Sequence, residues 1–154
     1  MKIQLKSLLL HSVCAAALML AGTADAGNVW VSSENDNNVI VFSVEGQQEA
    51  VIPTCRRPRH LAFSPNYTRL YVACGNSDAI GIIDVAQREM VGEVPVGESP
   101  EIFALSNDGL IAYVSIEDEN ALVAYNLVSK KPLFRVATGG EPEGVLLSQD
   151  GSTA

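Results

Sequence analysis

Histidine and cysteine are scarce in this 154-residue chain, with only His11, His60, Cys14, Cys55 and Cys74. So few soft or imidazole ligands exclude a histidine-built metal centre and a cysteine-dense scaffold. Basic side chains are also short, 10 against 18 acidic, and the net charge of −8 repels a phosphate backbone. No C-x-x-C-H, G-x-S-x-G, Walker-type loop or H-E-x-x-H occurs. No catalytic residue, no metal ligand set and no cofactor is therefore expected. Aromatic residues are few at 6%, yet 47% of the chain is apolar, too much for a disordered segment.

No apolar run reaches the roughly 20 residues that a membrane-spanning helix needs. The longest, Leu8 to Leu20, is broken only by His11 and Ser12 and follows Lys2 and Lys6. Ala24-Asp25-Ala26 then offers the small–x–small pattern of a signal-peptidase site. Residues 1–26 are expected to be a cleaved signal peptide, and residues 27–154 the mature domain, in the periplasm or secreted. Removal leaves 8 basic and 17 acidic residues, the single histidine His60, and the cysteines Cys55 and Cys74. In an oxidising compartment two cysteines are read first as a disulfide.

The mature chain is a tandem repeat. Pro58, Pro100 and Pro142 stand 42 apart, and Ser64, Ser106 and Ser148 follow each by six. Trp30, Tyr71 and Tyr113, each before a valine, and Ser43, Asp84 and Asn126 recur at 41 and 42. The repeats span about 28–69, 70–110 and 111–153. Each holds short β-type runs, such as Val39–Phe42, divided by polar clusters, such as Ser33–Asn38. Asn107-Asp108-Gly109 and Gln149-Asp150-Gly151 predict tight hairpin turns. Four short strands per 41–42 residues predict an all-β chain, a β-propeller of four-stranded blades with about three repeats present.

Leu70-Tyr71-Val72, Ile80–Asp84, Val96-Gly97-x-x-Pro100 and Ser106-x-Asp108-Gly109 resemble the YVTN-type bacterial β-propeller repeats. Arg57-Pro58-Arg59, Pro100–Ala104, Glu141–Gly144 and Ile116–Asn120 are similar to the propeller proteins associated with PQQ-dependent alcohol catabolism. Cys55 departs from the pattern, standing where Gly97 and Gly139 stand in the other repeats. The resemblance implies that the strand after each proline is innermost. On that phasing the chain opens at a second strand, runs through two full blades, and ends on a lone inner strand, Glu143–Leu147. Three repeats do not close a ring of four to eight blades. Closure is expected from further repeats in a longer gene product, with oligomerisation of a short chain as the alternative.

The same phasing brings Arg57, Arg59, His60, Glu101 and Glu143 to one mouth of the channel as candidates for binding a ligand or partner. Arg56, Arg57 and Arg59 form the one basic cluster in an acidic chain and suit a carboxylate or anionic cofactor. The alternative is pairing with Glu98, Glu101 and Glu143 of neighbouring blades. Cys55 and Cys74 fall at one face, on neighbouring loops. Glu34–Asn38 and Glu117–Asn120 lack calcium-loop spacing and read as strand connections. The resemblance implies a non-enzymatic periplasmic binding propeller, partnered by a quinoprotein dehydrogenase or a cytochrome c. The competing reading is a propeller subunit of a quinone- or haem-dependent oxidoreductase.

Overall fold

The computed structural model describes residues 27–153; the expected signal peptide, with His11 and Cys14, lies outside the described residues. Among the described residues, eleven strands form three antiparallel sheets. The first has three strands: β1 (Asn28–Ser33), β2 (Asn38–Ser43) and β3 (Gln48–Pro53). The second has four: β4 (Pro58–Phe63), β5 (Arg69–Cys74), β6 (Ala79–Asp84) and β7 (Glu89–Pro95). The third repeats it with β8 (Pro100–Leu105), β9 (Ile111–Ile116), β10 (Ala121–Asn126) and β11 (Lys131–Ala137). The all-β, blade-by-blade architecture follows the repeat, and it is incomplete as a propeller.

Successive side chains of a strand point to opposite faces, so a blade between two others must be apolar on both. In β5, Leu70, Val72 and Cys74 join Val39, Val41 and Ile52 in the core between the first and second sheets. Tyr71 and Ala73 face the other way, into a core with Ile80, Val94, Phe103, Val114 and Val123 between the second and third. In each sheet the outer hairpin carries a β-bulge at the same step, at Val41/Phe42, Ile82/Ile83 and Ala124/Tyr125. The residues skipped by the ladder are Glu49, Val91 and Leu133.

The turns are as periodic as the strands. Among the described residues, all nine non-glycine residues with positive φ fall at four repeat positions. One set is Asn37, Asp78 and Asn120; the next is Arg57, Ser99 and Glu141, each just before a proline. A hydrogen-bonded clip joins the two sets. The side chains of Asn37, Asp78 and Asn120 accept the N–H of Arg57, Ser99 and Glu141 at 2.8, 3.2 and 3.1 Å. Their main-chain carbonyls accept the N–H of Thr54, Val96 and Thr138 at 2.9, 3.0 and 2.9 Å. Short Asx side chains tolerate the left-handed conformation and bond locally.

The expected inner strand Glu143–Leu147 does not form: residues 143–148 are irregular. An inner strand exists by pairing, as β4 pairs with β5 and β8 with β9. Among the described residues the 143–147 segment has no such neighbour to satisfy its ladder groups. The turn after it is nonetheless built. Ser148 Oγ donates to Asp150 Oδ1 at 2.6 Å and accepts the Thr153 N–H at 3.0 Å. Ser106 does the same with Asp108 and Ile111 at 2.6 and 2.9 Å. Both expected glycine turns are present, with Gly109 and Gly151 at φ 71°.

Two glycine substitutions separate conformational cost from steric cost. Gly46 (φ 83°) has nothing within 4 Å of an added Cβ, whereas at Gly109 that atom would lie 2.6 Å from Pro65 Cδ. Gly46→Ala is expected to cost about 1 kcal/mol in urea unfolding, and Gly109→Ala clearly more.

Candidate functional site

The clip fixes where the charged residues go. It holds Arg57 in the left-handed region ahead of Pro58, and β4 then carries Arg59 and His60 along the inner edge of the second sheet. Glu101 stands one repeat later on β8. The Arg59 guanidinium grips it side-on, with Nε 2.6 Å from Oε2 and Nη1 2.8 Å from Oε1. Arg57 approaches the same carboxyl at 3.6 Å and pairs with Glu34 of the first sheet at 2.9 Å. Its Nη1 also reaches Ser99 Oγ at 3.4 Å. An ion-pair ladder, Glu34–Arg57–Glu101–Arg59, therefore crosses all three sheets. Ser32 reinforces it by donating to the Arg59 carbonyl at 2.6 Å.

The Glu101 side chain is only 3% exposed. Burial, and then a hydrogen bond with the Glu117 carboxyl, push its pKa up from 4.5 to about 7 against the pull of Arg59 and Arg57. Desolvation outweighing two nearby guanidiniums is the signature of a carboxyl held in a low-dielectric position. His60 stands edge-on to Phe103, ring centroids 5.0 Å apart. Burial lowers its pKa, opposed by a hydrogen bond with the Phe103 backbone. The imidazole is packed as an aromatic wall.

A cleft of about 370 Å³ gathers Arg59, His60, Glu101 and Glu143, with Ser32 and Glu34 on its rim. Arg57 instead lines a second cleft of about 500 Å³, with Arg56, Asp78, Glu117 and Asp118. The expected pairing with acidic residues of neighbouring blades is realised for Glu101 but not for Glu98 or Glu143. Those two make no ion pair among the described residues, and Arg56 makes none either. The Glu98 main-chain N–H donates to Glu119 Oε1 at 3.1 Å. Sequence reasoning missed Glu34 and Glu117, set aside as parts of strand connections. The signal was there: both lie just after a strand homologous to the YV strand, facing the pre-proline residues.

Cys55 and Cys74 are bridged, with Cα atoms 5.8 Å apart. The bridge ties the linker before Pro58 to the end of β5. Three hydrogen bonds flank it: Arg56 N–H to Ser77 Oγ (2.9 Å), Gly75 N–H to the Arg57 carbonyl (3.0 Å), and Asn76 N–H to the Arg56 carbonyl (3.3 Å). No group of three or more histidine, cysteine or acidic residues among the described residues is disposed to hold a metal.

Repeated antiparallel sheets of three and four strands, packed face to face in succession, define a β-propeller that is incomplete here. The family Lactonase, 7-bladed beta-propeller matches residues 11–91, just over half of the chain, and the chain belongs to that family. No curated protein matches it in sequence. Among solved structures it is similar to hydrazine synthase of Kuenenia stuttgartiensis, at 22% identity and TM-score 0.74 over 84% of this chain and 38% of that one. A Bacteroides uniformis protein assigned as a 6-phosphogluconolactonase matches at 16% identity and TM-score 0.73, over 82% and 43%. Apo AztD of Citrobacter koseri matches at 18% and 0.57, over 70% and 32%. The chain thus spans 32 to 43% of these structures, and the likeness is one of fold.

Two outcomes are expected. A Cys55→Ser/Cys74→Ser variant loses about 3 kcal/mol of stability in denaturant titration, the loop-closure value for this separation. The second concerns pH. Because the folded pKa of Glu101 is raised, its contribution is fully present below 4.5 and is lost as pH rises through about 7. His60, with a lowered pKa, contributes with the opposite sign below 6.5. The stability difference between the chain and Glu101→Gln, measured from pH 4 to 8, isolates the Glu101 part and moves against the wild type as pH rises.

Proposed function

We propose that this chain is the binding part of an exported, non-enzymatic β-propeller that docks a ligand or partner at the Arg59–His60–Glu101–Glu143 cleft, with Arg57 bracing Glu101 from the neighbouring cleft. The observation that carries the proposal is the ion-pair ladder. Both Arg57 and Arg59 are committed to carboxylates, and His60 is packed on Phe103, so the groups form a fixed recognition surface with no free nucleophile–base pair. Loops and strand ends on a rigid scaffold suit binding. The periplasm is supported by the leader-like residues 1–26 and by the Cys55–Cys74 bridge. PQQ-dependent alcohol catabolism is the setting that the repeat segments around Pro58, Pro100 and Pro142 resemble. In that setting the partner is a periplasmic quinoprotein dehydrogenase or a cytochrome c.

One observation favours a second reading. Glu101, with a pKa about 7 and lining a cleft beside His60, could serve as a general base, and lactone hydrolysis is the reaction that the family's name suggests. Three measurements on the purified protein separate the readings. The binding proposal expects recovery in the periplasmic fraction, a colourless visible spectrum and no opening of aldonolactones. It also expects binding to a quinoprotein dehydrogenase or its cytochrome c that weakens at least tenfold in Arg59→Ala. A cofactor band, or lactonase activity lost in Glu101→Gln, overturns it.

A further inference from the structure

Arg59 is only half used by the carboxyl that holds it. Its grip on Glu101 is side-on, through Nε at 2.6 Å and Nη1 at 2.8 Å. A guanidinium carries five N–H donors in a rigid fork. Among the described residues its Nη2 makes no hydrogen bond, so the outer edge formed by Nη1 and Nη2 is open. The exposures match this arrangement, 3% for the Glu101 side chain and 32% for that of Arg59. Glu101 anchors the guanidinium from the protein side, and Arg59 lines the cleft of about 370 Å³.

A second carboxyl stands against the first. Glu117 hydrogen-bonds with Glu101, and its Oε2 lies 3.5 Å from Ser99 Oγ. An ionised carboxylate only accepts hydrogen bonds, so two carboxyls bond to each other only with a proton between them. The local charges agree. Glu34, Glu101 and Glu117 face Arg57 and Arg59, three acids against two bases, and one shared proton makes the group neutral. The other titratable groups lining the cleft are His60 on β4 and Glu143 after the third sheet. Burial holds His60 toward its neutral form.

We propose that the outer fork of Arg59 binds a carboxylate, and that the carboxylate is taken up together with a proton on the Glu101–Glu117 pair. The proposal rests on the cleft-binding reading above and adds its ligand chemistry and its regulation. Glu101 is then a positioning residue, which fixes the plane of the guanidinium without touching the ligand. A carboxylate on the outer edge neutralises part of the guanidinium's charge, so Glu101 is drawn less strongly to its ionised form. The pair therefore holds its proton more tightly with the ligand than without it. By linkage, affinity for the ligand falls as that proton is lost. Glu101 titrates at about 7 in the free chain, so affinity is level in mild acid and falls above neutrality.

Two probes supply the group from different sources: succinate as a small acid, and an acetyl-Gly-Glu-Gly-amide peptide as a protein side chain. Binding of each to the full chain is followed by NMR shift titration between pH 5.5 and 8.5. At least one probe is expected to bind, and to weaken about tenfold between pH 6.5 and 8.5 for one linked proton. Arg59→Lys keeps the charge without the fork and should weaken binding about tenfold. Glu117→Gln offers Glu101 an amide N–H in place of a titrating proton, so binding persists while its fall above neutrality disappears. Protonation of His60 would instead strengthen binding below pH 6.5 and survive in Glu117→Gln. Binding of neither probe, an affinity that is level to pH 8.5, or a fall that persists in Glu117→Gln overturns the proposal. If neither probe binds while the quinoprotein or cytochrome partner still requires Arg59, this inference fails and the binding reading stands. A cofactor band, or lactonase activity lost in Glu101→Gln, removes the binding reading itself.

Discussion

Three Asx side chains set the geometry of this molecule. Asn37, Asp78 and Asn120 each sit in the left-handed region, and each binds two N–H groups of the linker that leads to the next sheet. The linker residue before proline is steered away from the right-handed helical region, and in all three repeats it takes the left-handed one. One short side chain thus decides the angle at which each inner strand starts. The positions of Arg59, Glu101 and the 142–147 segment follow from it.

The mouth is built on a conflict that this geometry keeps in place. Glu101 is desolvated enough to favour its proton, yet it lies in the side-on grip of Arg59 and within reach of Arg57. A buried carboxyl that kept only one of these neighbours would be a clear case of an ion pair or of a neutral acid. Here the pair links blades rather than strands of one sheet, so the compromise is made across an interface. Removing one partner of such a buried pair costs more than the pair contributes, because the other is left uncompensated.

The architecture was legible because a period of 41–42 residues leaves its mark on every element, and the unbroken apolar run Leu70–Ala73 suits the strand that the structure buries on both faces. The meeting of Arg59 with Glu101 was legible for the same reason, since they differ by one repeat. The clip was not. Asn37 and Asn120 lie in polar clusters that look like any strand connection, and nothing in composition tells which asparagine bonds the linker. Glu34 was missed because its partner Arg57 belongs to another sheet, and Glu117 because it meets Ser99 and Glu101 only once β8 and β9 are paired. The failure of 143–147 to form a strand is the opposite lesson. Its residues suit a strand well enough, but a strand is a property of two segments, and local sequence speaks for only one.

The recurring bulge in the outer hairpin has a different consequence. Glu49, Val91 and Leu133 are the residues that the ladder skips, so they are exempt from the in–out alternation that disciplines their neighbours. At the YV strand and the linker proline the repeats keep one chemical type at the same step, valine for valine and proline for proline. At the bulge an acid, a β-branched residue and a leucine stand in the same place. The bulge is thus a place where the repeat fixes the backbone and leaves the choice of side chain open.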